Sequence, residues 1–181
     1  KLKKIQHKTH KYALAVGRLE KVKGFDLLIA SWKNICANLV IIGSGKERNK
    51  LNELIEQNNL SEKVKIIDAV KKEELLNYYQ DASVLIISSR DEGGPRVALE
   101  ALYLEIPVIS TDVGHMPQIL PKELLAEKNN QSSLQDMLEK YVDDIHLYNQ
   151  KAIFNFVETE FSIEEKMQEL NDAYNLLASK S

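Results

Sequence analysis

Short, unbroken apolar runs alternate along this chain with longer segments in which apolar residues recur every three or four positions. Unbroken runs of about four to eight apolar residues are typical of buried strands, and the wider spacing is typical of amphipathic helices. We predict strands at Tyr12–Val16, Leu39–Ile42, Val64–Ile67, Ser83–Ile87, Pro107–Ser110 and Glu123–Ala126, most of which are such runs. The wider spacing predicts helices near Phe25–Cys36, Lys46–Gln57, Glu73–Tyr79, from Pro95 onward, Ser132–Tyr141, Ile145–Glu158 and Ile163–Leu177.

The alternation of strands and helices through residue 126 predicts an α/β fold. We expect a Rossmann-like parallel sheet of about six strands with helices on both faces, followed by C-terminal helices. In such sheets, ligands bind outside the carboxyl ends of the strands, near the point where the strand order reverses. Five polar loops follow predicted strands and should open onto that one edge: Gly17–Gly24, Gly43–Gly45, Asp68–Val70, Ser88–Gly94 and Asp112–Gly114.

Length, charge and cysteine content narrow the class of protein. The 181 residues, 44% hydrophobic and 28% charged, are typical of one globular domain with a substantial core. A formal net charge of -3 argues against a nucleic-acid partner. The single cysteine, Cys36, excludes an internal disulfide and a cysteine-based metal cluster, and no apolar run is long enough to cross a membrane. We expect no metal site.

The first eleven residues are basic and lack periodicity. We interpret 1–11 as a solvated linker or tail, with 12–181 as the folded domain; contact with an acidic membrane surface or a partner domain is the alternative. The chain begins at Lys1 without a methionine or a signal peptide, so we expect it to be part of a longer protein.

Two acidic residues bracket the start of the helix that begins near Pro95. Glu92 precedes that helix, and Glu100 lies within its apolar surroundings, where a carboxylate needs a partner such as a ribose hydroxyl or a protein amide. Gly93 and Gly94 allow the backbone to approach a ligand closely, and the free N–H groups of a helix start bind anions. This element therefore offers an anion site together with acceptors for sugar hydroxyls, which are the two halves of a nucleotide-sugar site.

Two cations follow the first predicted strand. Arg18 and Lys23 suit a diphosphate, although solvated surface charges are the simpler interpretation. Gly43 and Gly45 are explained by a tight strand-to-helix turn alone, and a ligand role is an addition to that. His115 stands on the same edge, but we interpret it as an ordinary residue at a helix start, because it has no second ligand at metal spacing.

Several of these motifs, taken in order, resemble a known family. The chain is similar to the C-terminal, donor-binding half of GT-B glycosyltransferases, above all the retaining glycosyltransferase family 4 with its E-x7-E element. The resemblance covers about Tyr12–Leu120. It rests on Gly17-Arg18-Leu19, Lys23-Gly24, Gly43-Ser44-Gly45, Ser88, Glu92-Gly93, Glu100-Ala101, Pro107-Val108 and Asp112-Val113-Gly114.

The resemblance implies a role for each site residue. Arg18 and Lys23 would hold the diphosphate of a nucleotide-sugar and stabilise it as a leaving group, and Glu92 would contact the donor sugar. Glu100 would bind the ribose hydroxyls. The remaining substrate contacts would come from Gly17, Gly43, Gly45, Ala69, Val70, Gly93, Gly94, Pro95, Arg96 and Val97, with the backbone near Val70 facing the base.

The resemblance also implies what the whole protein does. We expect a retaining hexosyltransferase that uses a UDP-sugar, or alternatively a GDP-sugar, without a metal cofactor. The acceptor would be a glycan or a lipid-linked glycan of the cell envelope, bound by an N-terminal domain outside this chain. Such a protein would be cytoplasmic, or peripheral at the inner face of the membrane. The alternatives are a nucleotide-sugar 2-epimerase and a non-catalytic binding domain. His115 and Gln118 depart from the family, which often has Gly and Glu there.

Overall fold

The computed structural model describes residues 12–142 and 150–160, and its six strands form one parallel sheet. The strands are β1 (Tyr12–Val16), β2 (Leu39–Ile42), β3 (Val64–Ile67), β4 (Ala82–Ile87), β5 (Val108–Thr111) and β6 (Leu125–Ala126). The helices are α1 (Phe25–Ala30), α2 (Arg48–Gln57), α3 (Lys72–Asp81), α4 (Arg96–Tyr103), α5 (Met116–Ile119), α6 (Gln131–Tyr141) and α7 (Lys151–Glu160). The predicted Rossmann-like α/β fold is confirmed, and the bounds of β1, β2 and β3 are those predicted.

The strand order is β3-β2-β1-β4-β5-β6, with every neighbouring pair parallel. The chain moves outward from β1 in one direction and outward from β4 in the other, so the order reverses between these two central strands. Because such crossovers are right-handed, α1 and α2 cover one face of the sheet and α4 covers the other. Helix α6 packs against α1, and α7 packs against α4.

The core consists of the strands and the helix faces turned toward them. Leu14, Ile41 and Leu85 are fully buried, as expected for central strands covered on both faces. Trp32 is also fully buried, and its indole N–H donates to the Ala37 carbonyl at 2.9 Å. Because helices cover its faces, such a sheet offers a ligand the loops that follow the carboxyl ends of its strands.

The first helix is shorter than predicted. Its apolar spacing continues to Trp32, but α1 ends at Ala30, and the chain continues in tighter turns in which Trp32 N donates to Ile29 O and Ile35 N donates to Trp32 O. These turns still bury Trp32 and Ile35. Apolar periodicity alone therefore did not mark where the helix ends.

The last two strands also differ from the prediction. Residues 122–124 form a 3-10 turn, so β6 contains only Leu125 and Ala126 and pairs with β5 only at Ser110 and Thr111. The buried side chain of Gln150 takes the place of a longer partner strand: it accepts from Val108 N at 3.1 Å and donates to Val108 O at 3.4 Å. This pair of hydrogen bonds fixes the start of α7 to the sheet.

Some predicted segments lie outside the described residues. They are the basic stretch at 1–11, the beginning of the helix predicted at Ile145–Glu158, and the helix predicted at Ile163–Leu177. Within 12–142 and 150–160, none of the helices has the length and apolar content needed to span a bilayer.

Candidate functional site

The central crevice of the sheet lies where the strand order reverses, between the loop that follows β1 and the loop that follows β4. The two loops are joined through their backbones: Arg90 N donates to Val22 O at 2.7 Å, and the Ser88 hydroxyl donates to Lys23 O at 2.9 Å. Both loops stand at the carboxyl ends of their strands, which is the edge where parallel sheets bind ligands. The crevice is therefore the candidate site.

A glycine permits this close approach of the two loops. Gly24 has φ +66°, and a Cβ at this position would lie 2.0 Å from the Ser88 carbonyl oxygen. A side chain there would force the loops apart and would strain the left-handed backbone conformation. Gly24 thus sets the separation between Lys23 and the loop after β4.

An arginine that the sequence analysis missed joins the same loops. Arg90 donates from Nη1 to Asp26 Oδ1 at 2.7 Å and from Nη2 to Asp26 Oδ2 at 2.8 Å, and Nη1 also donates to Lys21 O at 2.6 Å. Burial of the Asp26 carboxyl opposes ionisation, but the hydrogen bonds and the charge of Arg90 outweigh it, so the pKa of Asp26 is lowered. The two residues are 64 positions apart, so no local pattern in the sequence links them.

The Lys23 ammonium and the Glu92 carboxylate meet inside the crevice. Lys23 Nζ donates to Glu92 Oε1, and the Ser89 hydroxyl donates to Glu92 Oε2 at 2.8 Å. Ser89 and Glu92 stand three positions apart, and this short spacing is the local signal in the sequence that points to their contact. The cleft around this pair is lined by Val16, Lys23, Phe25, Ile86, Ile87, Ser88, Ser89, Glu92 and Val97.

The second predicted cation lies elsewhere on the rim. The Arg18 side chain is 72% exposed and forms an ion pair with Glu20 at 2.8 Å. Arg18 shares the loop after β1 with Lys23 but does not line the cleft. A ligand would have to compete only with Glu20 and water for this guanidinium, and exposed pairs of this kind are weak.

The loop before α4 presents backbone to solvent. Nothing lies within 4 Å of the position that a Cβ would occupy on Gly93, whereas on Gly94 it would lie 3.1 Å from Cδ2 of His115. Helix α4 follows directly: Pro95 is buried and precedes its first residue, and Arg96 is exposed. The open side of Gly93 leaves room for a ligand beside the start of α4, and the His115 imidazole borders that space.

Glu100 has a protein partner in the structure. The Tyr79 hydroxyl lies 3.3 Å from Glu100 Oε2 and 3.4 Å from the Val97 carbonyl oxygen. Burial and the neighbouring Glu100 charge raise the pKa of Tyr79, so this phenol stays protonated and acts as a donor. The expected partner was a ribose hydroxyl or an amide; here a tyrosine hydroxyl from the preceding helix, α3, fills that place.

The remaining predicted positions are two glycines that pack against the loop after β1 and two residues that follow β3. A Cβ on Gly43 would lie 1.8 Å from Gly17 O, and one on Gly45 would lie 2.4 Å from Leu19 O, so both glycines pack directly under the loop after β1. Ala69 and Val70 follow β3, two strands away from β1, and Ala69 N donates to the Ser44 hydroxyl at 3.2 Å. The packing interpretation of Gly43 and Gly45 accounts for both positions.

Metal ligands do not cluster in the part of the chain that the structure describes. Among those residues, no group of three or more His, Cys, Asp or Glu side chains is arranged to hold an ion.

Comparison with known proteins finds curated relatives of this chain and solved structures with a similar fold. A curated relative, an uncharacterized glycosyltransferase from Methanocaldococcus jannaschii, is 33% identical over 141 residues, which span 76% of this chain and 40% of that protein. The chain thus spans less than half the length of this relative.

Two solved structures share the fold. A mutant of the S. aureus protein TarM, solved in complex with fondaparinux, alpha-GlcNAc-glycerol and UDP, superposes with a TM-score of 0.82 at 20% identity over 97% of this chain and 38% of that one. The C-terminal domain of a glycosyl transferase group 1 family protein from Francisella tularensis superposes with a TM-score of 0.72 at 24% identity over 86% of this chain and 88% of that one. The family model described as glycosyl transferases group 1 matches residues 1–152, which is most of the sequence. The chain belongs to the glycosyl transferases group 1 family.

Proposed function

We propose that this chain is the C-terminal, donor-binding domain of a retaining glycosyltransferase of family 4. The observation that carries the proposal is the meeting of the Lys23 ammonium and the Glu92 carboxylate in the crevice where the strand order reverses. A cation there suits a diphosphate, and a carboxylate beside it suits sugar hydroxyls. Membership of the glycosyl transferases group 1 family supports this assignment.

The diphosphate is proposed to lie between Lys23 and the loop that precedes α4. Lys23 supplies a charged donor inside the cleft, and Arg18 supplies a second one from the rim once it leaves Glu20. The backbone around Gly93 and Gly94 is exposed and leads into the start of α4, where free N–H groups and the helix dipole favour an anion. Donors of this kind stabilise the negative charge that develops on a departing diphosphate, and we propose that they do so here without a metal ion.

The rest of the donor is proposed to extend along the strand ends. Glu100, near the Tyr79 hydroxyl, accepts from the ribose hydroxyls, and the backbone at Ala69 and Val70 contacts the base. We prefer a UDP-sugar, with a GDP-sugar as the alternative; the TarM structure, which holds UDP in its crystal, supports the first. The acceptor, a glycan or lipid-linked glycan, is assigned to an N-terminal domain outside this chain, and peripheral membrane association is assigned to that longer protein.

The proposal is tested by calorimetric titration of the chain with UDP, GDP and uridine. We expect one diphosphate to bind and uridine to bind much more weakly, because uridine lacks the group that Lys23 and Arg18 contact. Thermal stability should rise with the concentration of the diphosphate that binds, by mass action. If neither UDP nor GDP binds, the donor-binding assignment is wrong.

A further inference from the structure

The ion pair between Lys23 and Glu92 occupies the groups that the proposed donor needs. The two side chains are only 18% and 16% exposed, and both oxygens of the carboxylate are engaged, one by Lys23 and the other by the Ser89 hydroxyl. The charge of Lys23 is therefore already neutralised by a side chain of the crevice itself. An anion that binds Lys23 competes with Glu92 for the ammonium.

The free-energy cost of separating Glu92 from Lys23 depends on whether the ligand carries hydroxyl groups as well as the anion. When a bare diphosphate takes Lys23, Glu92 keeps the Ser89 hydroxyl but loses its counter-charge in a largely buried position, next to a new negative group. A carboxylate left in this way is destabilised, because burial penalises an uncompensated charge. A ligand that brings hydroxyl donors together with the diphosphate removes that cost, because a hydroxyl can replace the ammonium at Glu92 Oε1.

We propose that the Lys23–Glu92 pair makes binding of the diphosphate and binding of the sugar interdependent. This inference rests on the proposed function and adds a binding preference to it: the crevice binds a nucleotide-sugar more tightly than the free nucleoside diphosphate. The same pair acts after transfer. Once the sugar has left, Glu92 competes again for Lys23 and promotes release of the nucleoside diphosphate.

The test compares wild-type chain with the Glu92→Gln variant, which keeps the size of the side chain and removes its charge. Glu53→Gln is the matched control, because Glu53 is exposed on α2, away from the crevice. Each chain is titrated by calorimetry with inorganic pyrophosphate, UDP, GDP, UDP-glucose, UDP-galactose, UDP-N-acetylglucosamine and GDP-mannose. Thermal unfolding of each variant checks that it is folded.

We expect Glu92→Gln to bind pyrophosphate and the preferred nucleoside diphosphate about five- to tenfold more tightly than wild type, because the internal competitor for Lys23 is gone. Wild type should bind one nucleotide-sugar more tightly than its nucleoside diphosphate, and Glu92→Gln should lose most of that preference. Glu53→Gln should match wild type in both respects.

The outcomes separate this inference from the proposed function. If wild type binds a nucleoside diphosphate and folded Glu92→Gln binds it no more tightly, the interdependence is wrong and the donor-binding assignment stands. If no nucleotide binds but Glu92→Gln gains affinity for pyrophosphate, the donor-binding assignment is wrong and the competition between Glu92 and anions is supported.

Discussion

Arg90 and Asp26 form a two-pronged ion pair that joins the loop after β4 to the first turn of α1. Both carboxylate oxygens accept from the guanidinium, at 2.7 and 2.8 Å, and the side chains are 19% and 29% exposed. Paired, parallel hydrogen bonds of this kind are directional as well as charged. Arg90 also donates to the Lys21 carbonyl. Because Lys23 lies between Lys21 and Asp26 in the sequence, these contacts hold the backbone around Lys23 in place.

Replacing Asp26 with Asn should reduce stability in a pH-dependent way. The pKa of Asp26 is lowered in the folded chain, so its contribution is fully present above the ordinary aspartate pKa of about 3.9 and is lost as the pH falls through the lowered folded value. Near pH 7 we expect the free energy of unfolding to drop by about 1–2 kcal/mol, allowing for partial exposure of the pair.

Urea unfolding at a series of pH values measures this effect. The difference between wild type and Asp26→Asn should shrink as acid protonates the wild-type carboxyl. A difference that stays constant from neutral to strongly acidic pH would show that the charge of Asp26 is not what stabilises the loop.

Gly43 and Gly93 should respond very differently to replacement by alanine. A Cβ on Gly43 would lie 1.8 Å from the Gly17 carbonyl oxygen, so Gly43→Ala must displace backbone, and we expect a loss of more than about 2 kcal/mol in unfolding free energy. A Cβ on Gly93 meets nothing within 4 Å, so Gly93→Ala should stay within about 0.5 kcal/mol of wild type. Equal losses in thermal or urea unfolding would refute this distinction.

Arg18 and Lys23 should contribute unequally to diphosphate binding. The double replacement by Ala should weaken UDP or GDP binding by at least about 2 kcal/mol, because two charge-assisted contacts are lost. Lys23→Ala should account for the larger part, since Lys23 lies inside the cleft and Arg18 is 72% exposed. Lys50→Ala, on the exposed side of α2, is the charge-matched control in calorimetry. If the double variant binds UDP or GDP as tightly as wild type, neither residue contacts the diphosphate.

Replacements of Tyr79 and Glu100 should have different effects, the first on stability and the second on ligand binding. Tyr79→Phe removes a hydroxyl from a position next to the Glu100 carboxylate, and we expect it to destabilise the chain by about 1 kcal/mol. Glu100→Gln should weaken UDP binding, through the ribose contact, but leave pyrophosphate binding unchanged. If both ligands lose affinity equally in calorimetry, Glu100 acts on the overall shape of the site and does not contact the ribose.

Much of the fold was readable from local patterns. The apolar runs of β1 and β2 predicted their observed bounds, since a strand covered on both faces is nearly continuously apolar. The bounds of β3, an edge strand that contains the exposed Lys65, were predicted as well. Alternation of strands and helices predicted the parallel sheet, and the rule that ligands meet the carboxyl ends of such strands directed attention to the loops that carry Lys23 and Glu92.

Periodicity was less informative where an apolar pattern continues beyond the end of its helix or strand. The apolar spacing that begins at Phe25 continues past the end of α1, because the turns after Ala30 bury Trp32 and Ile35 just as a helix would. The same limit applies to β6, where a 3-10 turn took up half of the predicted strand.

The sequence by itself determined the class of fold, most strands, and the edge of the sheet at which polar loops collect, because these follow from periodicities a few residues long. Only the tertiary structure decided which side chains meet there: Lys23 with Glu92, Arg90 with Asp26, and Tyr79 with Glu100. Those pairs are separated by 69, 64 and 21 residues. Contacts over such separations depend on strand order and loop packing, and one sequence carries no local pattern that specifies them.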